Sequence, residues 1–385
     1  MALYDWQLIK YVSPAYPFGN GTDGNYSSAT VPTMTYMSCS GTSTQSTITL
    51  SSGAFTNGDI LKIIQMRGTG VGQWEIVRVV SGGGSTTLTI SKPLVYTYTD
   101  SGASQAQVVK IPQYNNVTIS SGTWSPTAWD GNVGGILTFA CNKIFTPTGS
   151  IVASGLDSAA AGGTSSAAGG LGLGSRGGTA TNTSSYRGEG TSGDNSTQSR
   201  NAAGTAGGGA DSSGDGGGGG GGHATAGSNG TDTSYGYGGD TAGDTTLNNM
   251  IMGGSGGGGR AGATGTNERS GGGGGGAIVS IYAATMTAPT SIISNGGNSA
   301  NTSHDGGGGA GGSILIVGGN INIGSDKLSV SAGTGNTYGG AGGKGRIAVY
   351  YNQSLSGSIS SSLYGSLTTA QDLRLKYPIR RGMFI

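Results

Sequence analysis

Between residues 45 and about 130 the apolar positions come in short runs. "STITLSS", "DILKIIQMRG", "QWEIVRVVSG", "TTLTISKPL" and "AQVVKIPQYNNVTISSG" are rich in Val, Ile and Thr and bounded by Gly, Asn or Ser, the pattern of β-strands. "SGGGSTT" between two of them is a hairpin signal. Five or so strands at this spacing predict a small antiparallel barrel or sandwich with a core of its own. Before it, residues 1–44 are aromatic and turn-rich, with "YVSPAYPFGNGTDGNYSS" showing little periodicity. That stretch is expected to be an extended attachment arm.

From about residue 131 a different pattern repeats. "GGILTFACNKIFTPTGSIVASG", "GGAIVSIYAATMTAPTSIISNGG", "GGSILIVGGNINIGSDKLSVSAG" and "GKGRIAVYYNQSLSGSISSSLYG" each contain small residues, an apolar strand, a polar turn and a second, weaker strand. The two strands are about 12 to 15 residues apart, as in Ile136 to Ile151 and Ile347 to Ile359. Four two-strand units stacking into one framework over 131–365 are expected, followed by a basic tail over 366–385, "LRLKYPIRRGMFI" at its end.

Composition changes the picture between those units. The chain has 385 residues, of which 83 are Gly, about three times the average usage of about 7%. The longest glycine-rich segment covers 155–276 and includes "SGDGGGGGGGHATAGSNG". Disorder would show high net charge and few aromatics, whereas this chain has a net charge of +1, 17 Tyr and 4 Trp. Helix is excluded by the roughly 0.8–1 kcal/mol that each Gly costs against Ala. Sheet is disfavoured because Gly brings no side chain to pack. Polyproline II geometry remains, with three residues per turn and backbone groups pointing outward to neighbours. A helix of this kind surrounded on every side needs glycine throughout. Gly216, Gly217, Gly218, Gly219, Gly220, Gly221 and Gly222, with Gly271, Gly272, Gly273, Gly274, Gly275 and Gly276, are therefore the expected structural glycine core. Only 9 Pro and no strict triplet exclude collagen. The expected fold is all-β plus polyglycine II: a small barrel or sandwich, then stacked two-strand repeats carrying packed glycine helices.

Charge and targeting signals narrow the function classes. No basic stripe exists for nucleic acid. No window approaches 18 apolar residues, so membrane insertion is not expected. "MALYDWQLIKYVSP" lacks a signal-peptide apolar core. Cys39 and Cys141 do not form a disulfide framework, and Cys141 reads as a small buried hydrophobe.

Chemistry-bearing residues are sparse. His223 and His304 are the only histidines; no Ser elbow accompanies the His304-Asp305 pair, and no paired cysteines complete a zinc site. "GLGSRG" at 172–177 matches G-x-G-x-x-G but lacks the strand before it and the helix after it. Asp211/Asp215 and Asp240/Asp244 read as solvated loop acids rather than calcium ligands. No enzyme activity, cofactor or metal is expected. Binding is better supplied: Tyr186, Arg187, His223, Tyr235, Tyr237, Asp240 and Arg260 lie among Ser, Thr and Asn, the composition of recognition loops.

Glycine runs strung between short strands resemble the receptor-recognising tip adhesins of T-even-type bacteriophage tail fibres, whose specificity domain is a sandwich of packed polyglycine II helices ending in variable loops. The glycine-rich ectodomain of certain receptor tyrosine kinases is similar in packing. "GGAGGKGRIAVYY" at 339–351 is similar to glycine-rich surface proteins of bacteria and phages. The resemblance, over about 131–365, implies a virion or extracellular adhesin binding a host surface glycan or outer-membrane protein. It would attach to other virion or surface proteins through the N-terminal arm or C-terminal tail, with homo-oligomerisation left open. The alternatives are a structural virion decoration or filament subunit and, third, a polysaccharide depolymerase.

Overall fold

A computed structural model describes residues 18–161, 166–170, 172–181, 184–211, 216–260, 269–300 and 305–371. It is all-β, with one three-residue 3-10 turn, Ser361–Leu363, among the described residues. After a short strand β1 (Tyr26–Ser28), six strands close into a barrel: β2 (Tyr36–Ser40), β3 (Thr47–Leu50), β4 (Ile60–Arg67), β5 (Trp74–Ser81), β6 (Thr87–Ile90) and β7 (Gln105–Lys110). Their order around the barrel is β2-β3-β6-β5-β4-β7, and every pairing is antiparallel. Ile48, Leu61, Ile63, Val77, Leu88 and Val108 form its interior. Ile60, Ile64, Trp74, Ile76 and Val109 belong to a second core outside the barrel wall. Burial on both faces is why "ILKIIQMR" shows no clean alternation; all eight residues of β4 are buried. Barrel strand β2 lies inside the 1–44 stretch expected to be an arm, and residues 1–17 of that stretch lie outside the described residues.

Beyond the barrel the strands are parallel. They are β8 (Gln113–Tyr114), β9 (Val117–Ile119), β10 (Thr123–Trp124), β11 (Ile136–Pro147), β12 (Ser150–Val152), β13 (Ala160–Ala161), β14 (Gly259–Arg260), β15 (Arg269–Ser270), β16 (Ile278–Met286), β17 (Ser291–Ile293), β18 (Ser313–Ser325), β19 (Leu328–Ser329), β20 (Arg346–Ser358) and β21 (Ser366–Gln371). The exception is the small antiparallel set β13-β15-β14. A long sheet runs β1-β9-β11-β16-β18-β20-β21, with β8 also on β11, and a short sheet runs β10-β12-β17-β19. Ile136, Ile278, Ser313 and Arg346 stand in register, and Arg346 is followed by Ser366. The four repeats are thus aligned at their small-residue starts. The stretch expected as a tail begins with β21, an added sheet strand, while 372–385 lie outside the described residues.

Alternate residues of the long strands serve two cores. Leu137, Val279, Ile314 and Ile347 face the short sheet and meet its ladder of Trp124, Ile151, Ile292 and Leu328. Ile136, Ile278, Leu315 and Ala348 face the barrel. A sheet covered on both sides calls for nearly continuous apolar strands, which is what "ILTFA", "IVSIYAA" and "ILIV" provide.

The glycine-rich segments leave and rejoin these strands and are held by backbone hydrogen bonds. In residues 216–222 the partner changes with every residue and returns every third. Gly217 and Gly220 donate to the Thr231 and Ser228 carbonyls, Gly218 and Gly221 to Asp305 and Gly308, and Gly219 and Gly222 to Gly208 and Thr205, at 2.7–3.1 Å. Their carbonyls accept in the same cycle: from Gly236 and Gly239, from Gly340 and Gly343, and from Gly257 and Gly254. Six segments therefore surround this one. Residues 271–276 repeat the pattern, donating in turn to 156–159, 175–178 and 307–310 at 2.8–3.2 Å. None of the glycines at 216–222 or 271–276 has a positive φ, so close approach rather than backbone strain requires glycine here. A Cβ on Gly219, Gly220 or Gly221 would overlap the carbonyl of Tyr237, Ala341 or Gly254.

Candidate functional site

The sequence candidates separate once placed on this block. Residues 197–200 form an outer segment, bonded to three others. Arg187 N donates to Thr197 O at 3.1 Å, Gly209 N to Ser199 O at 2.7 Å and Tyr237 N to Arg200 O at 2.8 Å. Through those bonds Tyr186 and Arg187 lie on one side of the segment, and Tyr235 and Tyr237 on the other.

Tyr235 and Tyr237 meet edge to face, with centroids 5.5 Å apart and planes at 73°, a favoured aromatic geometry. The Arg200 guanidinium lies 5.4 Å from the first ring and 5.8 Å from the second, within cation–π range. Its Nε donates to the Tyr235 carbonyl at 2.8 Å, and Asp211 stands 3.9 Å away. Tyr237 is 41% exposed. On the Tyr186 side of the segment, Gln198 Nε2 donates to Ser184 Oγ at 2.6 Å and to the Tyr186 hydroxyl at 3.4 Å. Arg187 Nε reaches the Asp194 carbonyl at 3.3 Å. A half-exposed row of Tyr186, Gln198, Arg200, Tyr235 and Tyr237 thus rides on hydrogen-bonded backbone.

The sequence candidates do not include Arg200 or Gln198, and Asp211 reads there only as a loop acid. Nothing local in "TQSRN" marks Arg200, which meets Tyr235 across 35 residues of chain.

The other candidates lie elsewhere. Asp240 is exposed, with its N–H on the Gly204 carbonyl at 2.8 Å. Arg260, in β14, exchanges backbone bonds with Gly216 and pairs with Arg269. His223, expected among the displayed residues, is not at the surface: its side chain is fully buried. Its Nδ1–H donates to the Gly311 carbonyl at 2.7 Å, and burial pushes its pKa down to about 4. A neutral imidazole is thus enclosed where residues 305–312 run into β18. His304 and Asp215 lie outside the described residues, and Asp244 accepts backbone N–H bonds from Thr246, Asn248 and Asn249. Among the described residues no group of three His, Cys, Asp or Glu is placed to hold a metal.

A buried ion cluster joins the block to the barrel. Glu189, 2% exposed, receives Arg67 of β4 at 2.7 Å and Arg176 at 3.0 Å. Arg176 continues to the Asp130 carbonyl at 3.1 Å. The cavity beside it, lined by Trp129, Thr191, Thr205 and Met252, holds about 10 Å³, about enough for one water and too small for an organic ligand.

Neither the models of known protein families nor the curated proteins contain a match to this chain.

Proposed function

We propose that the chain is a virion- or surface-associated adhesin whose glycine segments pack as polyglycine II helices. These hold the Tyr–Arg–Tyr row rigidly toward a cell-surface glycan or outer-membrane protein. The observation that carries the reading is the three-residue cycle of hydrogen-bond partners around 216–222. Three residues per turn with outward-pointing donors is the geometry of an extended left-handed helix, and six surrounding segments are a packed bundle of them. Neighbours run in both directions: Gly217 and Gly220 meet 231 and 228 in opposite order, Gly218 and Gly221 meet 305 and 308 in the same order.

Such a block suits recognition because it presents side chains at little cost in ordering entropy on binding. Tyrosine adds a large amphipathic surface with few torsions to immobilise. Attachment falls to the barrel end of the chain and to the segments at either terminus, and no catalytic step is assigned. The test is binding of the full chain to a panel of bacterial cells, with Tyr237→Ala and Arg200→Ala. Binding falling at least tenfold at unchanged melting temperature supports the reading; equal binding by wild type and both variants overturns it.

A second reading, a structural decoration or filament subunit, draws on one feature. Arg200 is satisfied internally by the Tyr235 carbonyl and Asp211, as a side chain that only seals the edge would be. A protein that binds no cell in the panel yet resists protease would favour it.

A further inference from the structure

The joint between the barrel and the long sheet contains a lysine that neither core formation nor the tyrosine row uses. Lys62, in the middle of β4, points out of the barrel wall and is completely inaccessible to solvent. Its Nζ lies 2.7 Å from Ser280 Oγ on β16 and 3.5 Å from Met250 Sδ. The Trp74 ring of β5 is 4.1 Å away. Three separate parts of the chain therefore close on one amine: barrel, sheet and the segment around Met250.

No carboxylate is among these partners. Lys62 stands opposite Ile76 of β5 and Val109 of β7 in the barrel wall, and the core that fills the joint also draws Trp74 from β5 and the buried phenol Tyr282 from β16. From β18 come Leu315 and Val317, and from β20 comes Tyr350, whose hydroxyl donates to the Thr246 carbonyl. On β2, Tyr36 donates its hydroxyl to the Ile136 carbonyl. The acids of neighbouring elements are engaged elsewhere. Glu75 pairs with Lys92 at 2.8 Å, Asp59 with Lys110 at 2.8 Å, and Glu189 with Arg67 and Arg176. Asp244 holds backbone N–H groups of its own turn.

We infer that Lys62 makes the grip of the barrel on the long sheet depend on protons: the joint accepts a neutral amine, and it is weakened whenever docking must shed or bury the ammonium charge. An ammonium ion here would keep one hydroxyl, one thioether and one aromatic face in place of its water shell. That is poor compensation for a buried charge. Consistent with this, burial alone lowers the Lys62 pKa from 10.5 to about 7. The sign follows from linkage. Above the ordinary lysine range both docked and free amines are neutral and the joint is tightest. Between about pH 10.5 and 7 the free barrel binds a proton that the docked one does not, so docking weakens about tenfold per pH unit as pH falls. Below about 7 both states are protonated and the dependence flattens.

The inference does not rest on the adhesin reading, and the experiment is run on the full chain. Lys62→Met keeps the length and removes the amine. Thermal melting of wild type and K62M from pH 6 to 10 reads the joint. Relative to K62M, wild type should gain stability from pH 7 to 10 by about tenfold in equilibrium constant per pH unit, and K62M should melt higher at pH 7. Identical pH profiles for the two proteins overturn the inference. If K62M does not fold, NMR of 13C-labelled lysine in the wild type decides. A resonance titrating about three pH units below the other lysines supports the inference; all lysines titrating together near 10 overturns it.

Discussion

Replacing Gly219 by alanine tests the packing of the glycine block with a predicted change of sign. In a solvated linker, Gly→Ala is neutral or stabilises by about 0.4–1 kcal/mol, because it restricts the unfolded chain. Gly219 has no such freedom. Its N–H donates to Gly208 at 2.8 Å, its carbonyl accepts from Gly257 at 2.9 Å, and a Cβ would run into the carbonyl of Tyr237. That obstacle is backbone, itself bonded to Gly208 N at 2.8 Å, so it cannot rotate aside. Moving the segments apart stretches two hydrogen bonds at about 1 kcal/mol each and adds an overpacking cost of about 1–3 kcal/mol. The sum is about 3–5 kcal/mol, a large part of the 5–15 kcal/mol that ordinarily holds a domain. Urea unfolding of wild type, Gly219→Ala and the exposed control Ser228→Ala measures it; Ser228→Ala should lie within about 0.5 kcal/mol of wild type. A Gly219→Ala protein as stable as wild type would refute the close approach of these segments.

Two further outcomes follow from buried charge. Glu189→Ala leaves Arg67 and Arg176 facing each other in the buried joint and should destabilise by about 3–5 kcal/mol, measured by urea unfolding; Glu189→Gln should cost less. His223 is held neutral in the folded state with a pKa of about 4, so its contribution is complete above about pH 6.5 and is lost as pH falls toward 4, about 3 kcal/mol in all. Its ring resonances should show no titration between pH 5 and 8, and a midpoint near 6.5 in the folded protein would contradict its burial.

The long strands were legible because parallel strands covered on both faces read as continuous apolar runs, and the small residues before Ile136, Ile278, Ser313 and Arg346 marked a register that the ladders reproduce. The barrel was legible from its short Val/Ile/Thr runs, but not its full circumference. Cys39 and Tyr36 lie in a turn-rich stretch, and only pairing with β3 and β7 makes it a strand. Lys62 is buried by docking against β16, and no local signal in "DILKIIQMRG" announces a distant sheet. His223 follows seven glycines and reads as a displayed side chain, whereas it is enclosed where residues 305–312 run into β18. Arg200 carries no local signal because its partners come from the fold. Side chains that act through contacts 35 or more residues away are invisible to spacing.

Hydrogen exchange of the backbone amides at 216–222 and 271–276 tests the central claim most directly. Amides bonded to three neighbouring segments in rotation open only when the block opens, so they should exchange as slowly as the core strands β16 and β18. Exchange at the rate of a free glycine peptide would contradict the account.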